Sequence, residues 1–565
     1  MPDLPLGNAA GLDPEVSTPA GFSRRGFLQT AAAGLIGLSG AAAVAAEEPA
    51  FESLTGGPLG EPPERGNVNN RREHTHQLRI EAADHHYHQP FPDLAGNGDE
   101  ELYAENRAGS YSKGLPKRAD GTVDPAAYSL FRDAVLSGNF VNMENIVTGG
   151  PVRQTSPLGA LTFRLEGHDS AQFELEAAPT FASAWAAAEE VELYWRALTR
   201  DVPFTEFETS PLVAQAVADL NAMSDYRGPR ESGVVTPRVL FRGFQSGAQK
   251  GPFLSQFLLK PYYFGNTPIT QRSQVPVAGQ DFLTSWNEWW AIQNGVAATR
   301  QLSFDPTLRY LRNGRDLGEW LHRDFSYQGP LIACLILLSY GADALDPGNP
   351  CAFSTKQAGF TSLGGPDALD LVAKPSKAAL NAAWYQKWQV HRRLRPEEYG
   401  GRVHATRTGI AEFPVHPDVL GATALHHVWD RYQSFLLPQA YPEGCPTHPA
   451  FPGGHSTFSA AGCTMLKAFF NENFVIPDPV VPNADGTALV PWEGEPLTVG
   501  DELDKLTSNI AHGRDGAGVH WRSDCEQGMR LGEKVAIQIL KDLMHCYAEP
   551  VRYTLRTFDG ETIEV

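Results

Sequence analysis

Apolar residues recur at every third or fourth position along most of the chain, which is the spacing of helices that bury one face. The segments with this pattern are 181–198, 212–223, 308–321, 331–340, 378–394, 425–437, 456–470 and 529–544. The alternation typical of strands is confined to short stretches, around 234–240 and at the extreme C-terminus. The sequence shows neither an internal repeat nor a strand–helix–strand rhythm. We therefore predict a mainly α, helical-bundle fold with few short strands.

The N-terminus carries the features of an export signal. The segment SRRGFLQ at 23–29 contains an arginine pair, an apolar stretch follows to about residue 46, and 43–45 is a small-residue cleavage site. The apolar stretch is too short to span a membrane. We predict a twin-arginine signal peptide over 1–46, export to the periplasm or the medium, and no stable membrane anchor. A chance arginine pair before an alanine-rich helix is the alternative.

The segment that follows is rich in Gly, Pro and Glu. We interpret 47–75 as a linker or extended N-terminal arm, and 76–565 as a single catalytic helical domain. Five histidines lie close together at this junction: His74, His76, His85, His86 and His88. They are either a metal site or a polar surface segment. We favour the surface segment, because no acidic or cysteine partner lies nearby at ligand spacing.

Composition narrows the possible functions. Hydrophobic residues make up 42% and charged residues 20% of the chain, which is typical of a globular protein. The net charge of −20 disfavours nucleic acid and anionic lipid as partners, and it makes any local group of Lys and Arg conspicuous. The six cysteines show no CxxC or zinc-finger spacing, and no nucleotide-binding, zinc-protease or serine-hydrolase motif is present.

The first of three segments with candidate chemistry is KWQVHRRLRP at 387–396. Trp384, Lys387, His391 and Arg395 follow helical spacing, so we expect them on one helical face that ends at Arg395, before Pro396. A lysine and an arginine at one helix end can grip a tetrahedral anion between them. The alternative is an ordinary solvated basic face.

The second segment is CPTHPAFPGGHS at 445–456. Paired glycines before a helix allow backbone N–H groups to approach an anion at the positive end of the helix dipole. His455, at the start of that helix, can exchange protons. A glycine turn with a capping histidine is the alternative.

The third segment is RDGAGVHWRSD at 514–524. Arg514 offers another cation for an anion, and His520 can bind a metal or attack phosphorus. Asp524 follows His520 by one helical turn, so it can orient the ring. A surface loop before the last long helix is the alternative. Together the three segments predict an oxyanion site.

In this order the segments resemble the signature of the superfamily of phosphatidic acid phosphatases and vanadium haloperoxidases: a Lys-to-Arg-Pro box, a Pro-Ser-Gly-His box, and an Arg box that ends in His-x-x-x-Asp. The algal bromoperoxidase branch is the most similar. Its spacings match the eight positions from Lys387 to Arg395 and the seven from His448 to His455. The stretches 240–243, 251–258 and 312–317 are also similar, so the resemblance extends from about residue 80 onward.

The resemblance implies vanadate as cofactor and oxidation of bromide or iodide by hydrogen peroxide to hypohalous acid, which halogenates small organic acceptors. It also implies a homo-oligomer. By the matching positions, vanadium would be bound by His520. The vanadate oxygens would be held by Lys387, Arg395, Arg514 and the backbone of Gly453 and Gly454.

The same resemblance assigns the proton chemistry. His455 would take a proton from peroxide and return one to the leaving oxygen, while Lys387 polarises the peroxide. His448 would tune the pocket. Two further residues would support the residues that contact vanadate: Asp524 would orient His520, and Trp384 would lie beside Lys387.

One position departs from the family pattern, because Gly453 replaces the serine of the Pro-Ser-Gly-His box. The missing hydroxyl removes one hydrogen bond, about 1 kcal/mol, unless a water, Ser456 or the N–H of Gly453 substitutes. Two other functions stay open. In an acid phosphatase of the same superfamily, His520 would be the nucleophile and His455 the acid. In a non-catalytic binding protein of this fold, neither halide nor phosphoester would turn over.

Overall fold

The computed structural model describes residues 68–565. The predicted signal peptide, 1–46, and the predicted linker up to residue 67 lie outside the described residues. For 68–75 the prediction of a linker or extended arm is wrong, because these residues form the first turns of helix α1, Val68–His88. The segment contains neither proline nor glycine, so nothing in it interrupts a helix.

The described chain is mainly helical, as predicted. The α-helices after α1 are α2 Asp99–Leu102, α3 Pro125–Ser137, α4 Phe140–Glu144, α5 Ala184–Leu198, α6 Pro211–Ala222, α7 Trp286–Gln293, α8 Gly314–Arg323, α9 Gln328–Ser339, α10 Gly365–Tyr385, α11 Pro396–Thr408, α12 Pro417–Gly421, α13 Thr423–Tyr432, α14 Gly454–Phe469, α15 Val499–Gly516 and α16 Arg522–Met544. Short 3₁₀ turns lie at Pro157–Leu161, Ser170–Gln172, Phe204–Glu206, Gly247–Gln249, Gln256–Leu258, Ala342–Ala344 and Pro350–Ala352.

The strands form three separate antiparallel hairpins. They are β1 Tyr262–Phe264 with β2 Thr267–Ile269, β3 Val480–Pro482 with β4 Leu489–Pro491, and β5 Thr554–Arg556 with β6 Thr562–Glu564. The last hairpin confirms the strand predicted at the C-terminus. The strand predicted around 234–240 is wrong, because Glu231 and Val234 close a tight turn there instead.

Each segment with helical spacing contains a helix, and the differences lie at the ends. Within 308–321 the helix begins only at Gly314, because the Asn313 side chain accepts from the N–H of Asp316 and caps it there. The helix predicted over 378–394 begins earlier than expected, at Gly365, and its α-helical part ends at Tyr385.

Helix α14 lies at the centre of the larger hydrophobic core. It packs against α10, α15 and α16, and its buried face includes Met465, Leu466 and Phe469. A second core surrounds α5 and includes Trp195 and Trp521. Among residues 68–565, no helix is both long and apolar enough to cross a bilayer. The candidate site lies where the N-terminus of α14 meets the junctions between α10 and α11 and between α15 and α16.

Candidate active site

The chain between Lys387 and Arg395 is not one helix, so the prediction of a single helical face ending at Arg395 is wrong. A π-helical turn, Gln386–His391, follows α10, and Arg392 then adopts a left-handed conformation with φ 39°. Arg392 is held there by an ion pair with Glu100 at 2.5 Å. Arg395 instead precedes α11, where Pro396 is the first helical residue.

Lys387 and Arg395 nevertheless converge on the segment before α14. The Lys387 ammonium donates to the carbonyl oxygens of Pro449 at 2.9 Å and Ala450 at 2.6 Å. It lies 6.0 Å from the centre of the Trp384 ring, which supports it from the last turn of α10. Burial, together with nearby Arg395, holds the pKa of Lys387 well below its usual range. An anion beside the ammonium would restore its charge.

Arg395 links the other two segments. Its guanidinium donates to the carbonyl oxygens of His448 at 2.9 Å and Val519 at 2.7 Å. It also lies 2.9 Å from Nδ1 of His448 and 3.0 Å from Nε2 of His520. Burial and the neighbouring cations Arg395 and Lys387 keep the pKa of His448 well below its usual range. His448 therefore lies in the site as a neutral ring packed on Trp384.

The tautomer of His520 follows from its two partners. Nδ1 lies 2.9 Å from Oδ2 of Asp524, which accepts, and Nε2 faces Arg395, which only donates. The proton is therefore on Nδ1, and Nε2 presents a lone pair to the site. Burial and the charges of Arg395, Lys387 and Arg514 hold the pKa of His520 well below its usual range. The separation of four positions thus places Asp524 within hydrogen-bond distance of His520.

Arg514 approaches from the last turn of α15. One guanidinium nitrogen donates to the carbonyl of Leu321 at 2.9 Å and to the hydroxyl of Tyr441 at 3.2 Å. Its buried Nε has no hydrogen-bond partner among residues 68–565. Tyr441 was not identified from the sequence, because no motif or spacing connects it with Arg514.

No side chain of the described residues caps the N-terminus of α14. Contrary to the expectation for Gly453, its N–H does not face an anion, because it donates to the carbonyl of Asp524 at 2.8 Å. That bond fastens α14 to α16 at the site. A Cβ on Gly454 would lie 3.2 Å from Trp384, so a glycine suits the close approach of this ring.

Ser456 occupies the space beside Gly453. Its hydroxyl donates to the Gly453 carbonyl at 2.8 Å, and a Cβ on Gly453 would lie 2.6 Å from that hydroxyl oxygen. A serine at 453 would therefore displace the Ser456 side chain. Glycine at 453 and serine at 456 fit together in this structure.

His455 has a partner that sequence reasoning missed. Its Nε2 lies 2.8 Å from Oδ1 of Asp324, the residue that ends α8. The other carboxylate oxygen, Oδ2, is buried and has no partner within the described chain. The two residues are 131 positions apart, so no local pattern relates them. The pairing holds one ring nitrogen of His455 and leaves Nδ1 to exchange protons.

The site brings together three buried cations that have no carboxylate partner within the described chain. Most buried cations have a carboxylate partner, as in Lys113 with Glu397 and Arg200 with Asp281. Within residues 68–565, the three cations of the site contact only carbonyl, hydroxyl and imidazole groups: Lys387, Arg395 and Arg514. Buried charge without a partner is costly, so this arrangement fits a bound anion. Three cations, a helix N-terminus and an imidazole lone pair match the needs of vanadate.

Comparison with known proteins identifies the family of the chain. A family model described as the VCPO second helical-bundle domain matches residues 372–549. The vanadium-dependent bromoperoxidase of Ascophyllum nodosum is 33% identical over 495 residues, which is 83% of this chain and 87% of that protein. The vanadium-dependent bromoperoxidase of Corallina officinalis is 33% identical over 572 residues, which is 84% of this chain and 95% of that protein.

A solved structure supports the same conclusion. The homohexameric structure of the second vanadate-dependent bromoperoxidase from Ascophyllum nodosum has a TM-score of 0.85 and 30% identity, and the match covers 92% of this chain and 94% of that one. The helical-bundle prediction is thereby confirmed. Since the curated relatives are a third identical over more than four-fifths of its length, the chain belongs to the vanadium-dependent haloperoxidase family.

Proposed function

We propose that this protein is a vanadate-dependent haloperoxidase that oxidises bromide or iodide with hydrogen peroxide to hypohalous acid. The observation that carries the proposal is the buried cluster of Lys387, Arg395 and Arg514, which has no carboxylate partner in the described chain. When bound, vanadate supplies a Lewis-acidic V(V) centre that activates peroxide, and the vanadium stays in the +5 oxidation state. The organic acceptors are small molecules that react with the hypohalous acid.

Different residues of the site would bind the vanadium atom and the oxygens of vanadate. The Nε2 lone pair of His520 is the candidate ligand of vanadium, and Asp524 holds the ring so that this nitrogen faces the site. Lys387, Arg395 and Arg514 neutralise the oxyanion. The N–H of Gly454 is the candidate backbone donor, because that of Gly453 is already engaged by Asp524.

Proton transfer is assigned to His455. Its ring is oriented by Asp324, and its side chain is 25% exposed, so protons can reach Nδ1 from solvent. We propose that Nδ1 accepts a proton from hydrogen peroxide and later returns one to the leaving oxygen. Lys387 lies within the same buried site and polarises the peroxide, and neutral His448 limits the positive charge around it.

We also propose a single catalytic domain, an exported location and a homo-oligomeric state for this protein. Residues 76–565 act as one catalytic domain, since the contacts of the site extend back to Glu100 through Arg392. The arginine pair and apolar stretch at 23–45 support export by the twin-arginine route to the periplasm or the medium. A homo-oligomer is supported by the homohexameric relative and by exposed apolar side chains such as Phe163 and Leu165.

The test compares one preparation with and without its anion. Protein freed of vanadate and phosphate is divided, orthovanadate is added to one half, and both are assayed for oxidation of iodide, bromide and chloride and for phosphoester hydrolysis. We expect peroxide-dependent oxidation of bromide and iodide only in the half with vanadate. The His520→Ala variant should show no vanadate-dependent oxidation.

Other outcomes separate the alternatives. Hydrolysis of the ester without vanadate, with inhibition by vanadate, would identify an acid phosphatase with His520 as nucleophile. Absence of turnover with every halide and ester in the vanadate-loaded half would indicate a binding protein.

A further inference from the structure

Two neighbouring histidines near the end of α1 meet a third from a distant loop. The potential ligand atoms of His85, His86 and His168 all lie within 4.8 Å of one another. The ring centres of His86 and His168 are 4.7 Å apart, and those of His85 and His168 are 6.1 Å apart. The group lies outside the anion site, and nothing in the proposed reaction uses it.

Asp542, in the last turn of α16, orients one of these rings. Its Oδ2 lies 3.0 Å from Nε2 of His86. A carboxylate in this position holds the proton on Nε2 and leaves the lone pair on Nδ1. Among residues 68–565, that Nδ1 and the Nε2 of His168 are buried and have no hydrogen-bond partner. Two neighbouring rings of the described chain therefore each have a buried nitrogen without a donor or acceptor.

Imidazole binds a metal ion through an unprotonated ring nitrogen. The buried Nδ1 of His86 and Nε2 of His168, which have no hydrogen-bond partner within the described chain, are available for this role. His85 is exposed, which gives an ion access from solvent.

We propose that His85, His86 and His168 form a site for a borderline divalent transition metal, Zn²⁺ being the best match, with Asp542 as the carboxylate that orients His86. Three imidazoles with an open fourth position are a recurring zinc environment, and a histidine whose second nitrogen is held by a carboxylate is the usual supporting arrangement. Tetrahedral zinc places its nitrogen ligands about 3.4 Å apart, so the three ligand atoms, which lie within 4.8 Å of one another, would draw closer when the ion binds.

The site would join three parts of the chain that are far apart in sequence. It connects α1, the loop before the 3₁₀ turn Ser170–Gln172, and the end of α16. The amide of Gln172 already donates to the carbonyl of His86 at 2.8 Å, so the end of α1 lies against this loop before any metal binds. A bound ion would fasten the same contact more tightly.

The experiment uses the full chain loaded with vanadate and free of any metal-binding tag. Zn²⁺ is titrated calorimetrically, the metal retained after dialysis is counted by mass spectrometry, and Co²⁺ replaces Zn²⁺ to report geometry by visible absorption. We expect one Zn²⁺ per chain and a tetrahedral Co²⁺ spectrum. His168→Gln should weaken Zn²⁺ binding at least tenfold, and Asp542→Asn about 10- to 100-fold.

His88→Gln is the matched control, because His88 lies on the same helix and bonds instead to the Asp84 carbonyl at 2.7 Å. It should bind Zn²⁺ as the unmodified protein does. If His168→Gln fails to fold, the exposed His85→Gln replaces it. Equal binding by the ligand variants and His88→Gln, or no retained Zn²⁺ in the unmodified protein, would overturn the proposal. Vanadate-dependent halide oxidation checks the folding of each variant.

Discussion

Lys387 shows how a single buried residue reports on what its site binds. Among residues 68–565, its ammonium donates hydrogen bonds only to carbonyl oxygens, and burial holds its pKa well below the usual range. The paired lysine Lys467 provides a contrast, because it is equally buried but lies 2.9 Å from Asp504, and its pKa is raised. The difference between the two lysines is that Lys467 has a carboxylate partner and Lys387 has none among residues 68–565.

The pair Gly453 and Ser456 leads to a prediction for vanadate affinity. In the variant Gly453→Ser the new Cβ collides with the Ser456 hydroxyl, so part of the vanadate affinity gained from the added hydroxyl is lost. In the double variant Gly453→Ser/Ser456→Ala that obstacle is removed. We expect the double variant to bind vanadate roughly fivefold more tightly than the unmodified protein, about 1 kcal/mol for one hydrogen bond. The vanadate dependence of halide oxidation measures it.

Ser456→Ala alone is the control for that comparison. It removes the bond to the Gly453 carbonyl but adds no donor, so vanadate affinity should stay unchanged or fall slightly. A double variant that binds vanadate no better than Ser456→Ala would contradict the assignment of position 453 as a place for an oxyanion donor.

At the scale of elements, the helices were predictable and the breaks between them were not. The periodicity that predicts α14 and α16 arises from burial along one face, which each sequence segment records by itself. The π-helical turn after α10 and the left-handed Arg392 leave no such record. They depend on the ion pair of Arg392 with Glu100, a residue far away in the chain. Arg395 therefore reaches the site from a new helix.

Helix α8 supplies two contacts of the site from its C-terminal end, the Leu321 carbonyl and Asp324. His322 holds this end in place. Its ring nitrogens lie 3.1 Å from Glu319 and 2.6 Å from Glu443, and the ring stacks on Tyr441. Burial alone would lower the pKa of His322, but these two carboxylates outweigh it and raise the pKa to about 9.

The raised pKa of His322 predicts a pH dependence of stability. The pKa of an unfolded histidine is about 6.5, which is below the pKa of folded His322, so the folded state binds the proton more tightly. The stabilisation is complete below about pH 6.5 and is lost as pH rises towards 9. We expect His322→Gln to lower the free energy of unfolding by about 1–2 kcal/mol at pH 6 and by much less at pH 9.5.

Urea unfolding of the unmodified protein and of His322→Gln, each at pH 6 and at pH 9.5, measures this difference in the free energy of unfolding. The variant Arg323→Gln tests whether the pH dependence is specific to the histidine, since Arg323 also pairs with Glu319. A stability difference for His322→Gln that is the same at both pH values would show that the histidine acts by packing alone.

At the scale of the whole molecule, exposed apolar side chains lie close together around α4 and the loop after Leu161. Phe140 is 67% exposed, Phe163 86%, and Leu165 fully exposed. Leu161 lies against Gly138, just before α4, so the two segments are neighbours. Apolar surface of this kind is typical of an interface between subunits.

This surface predicts the effect of polar substitutions on assembly. If the chain forms a homo-oligomer through it, Phe163→Ser/Leu165→Ser should shift the protein to a smaller species. Size-exclusion chromatography with light scattering measures the mass. Phe353→Ser, which changes a side chain 58% exposed in another segment, is the control and should leave the mass unchanged. An unchanged mass in the double variant would place the interface elsewhere.

The sequence by itself determined the helices and most of the groups that carry charge or protons at the site. Those groups lie in three short segments, whose residue types and order along the chain resemble the family signature. This is why Lys387, His455 and His520 were identified without coordinates.

Only the tertiary structure decided which distant side chains meet. It paired His455 with Asp324, turned the N–H of Gly453 towards Asp524, and brought His168 and Asp542 to the histidines of α1. The absence of a nearby acidic partner in the sequence was therefore no argument against a metal site. The physical reason is that helix packing sets these contacts, and packing depends on the whole core rather than on neighbours along the chain.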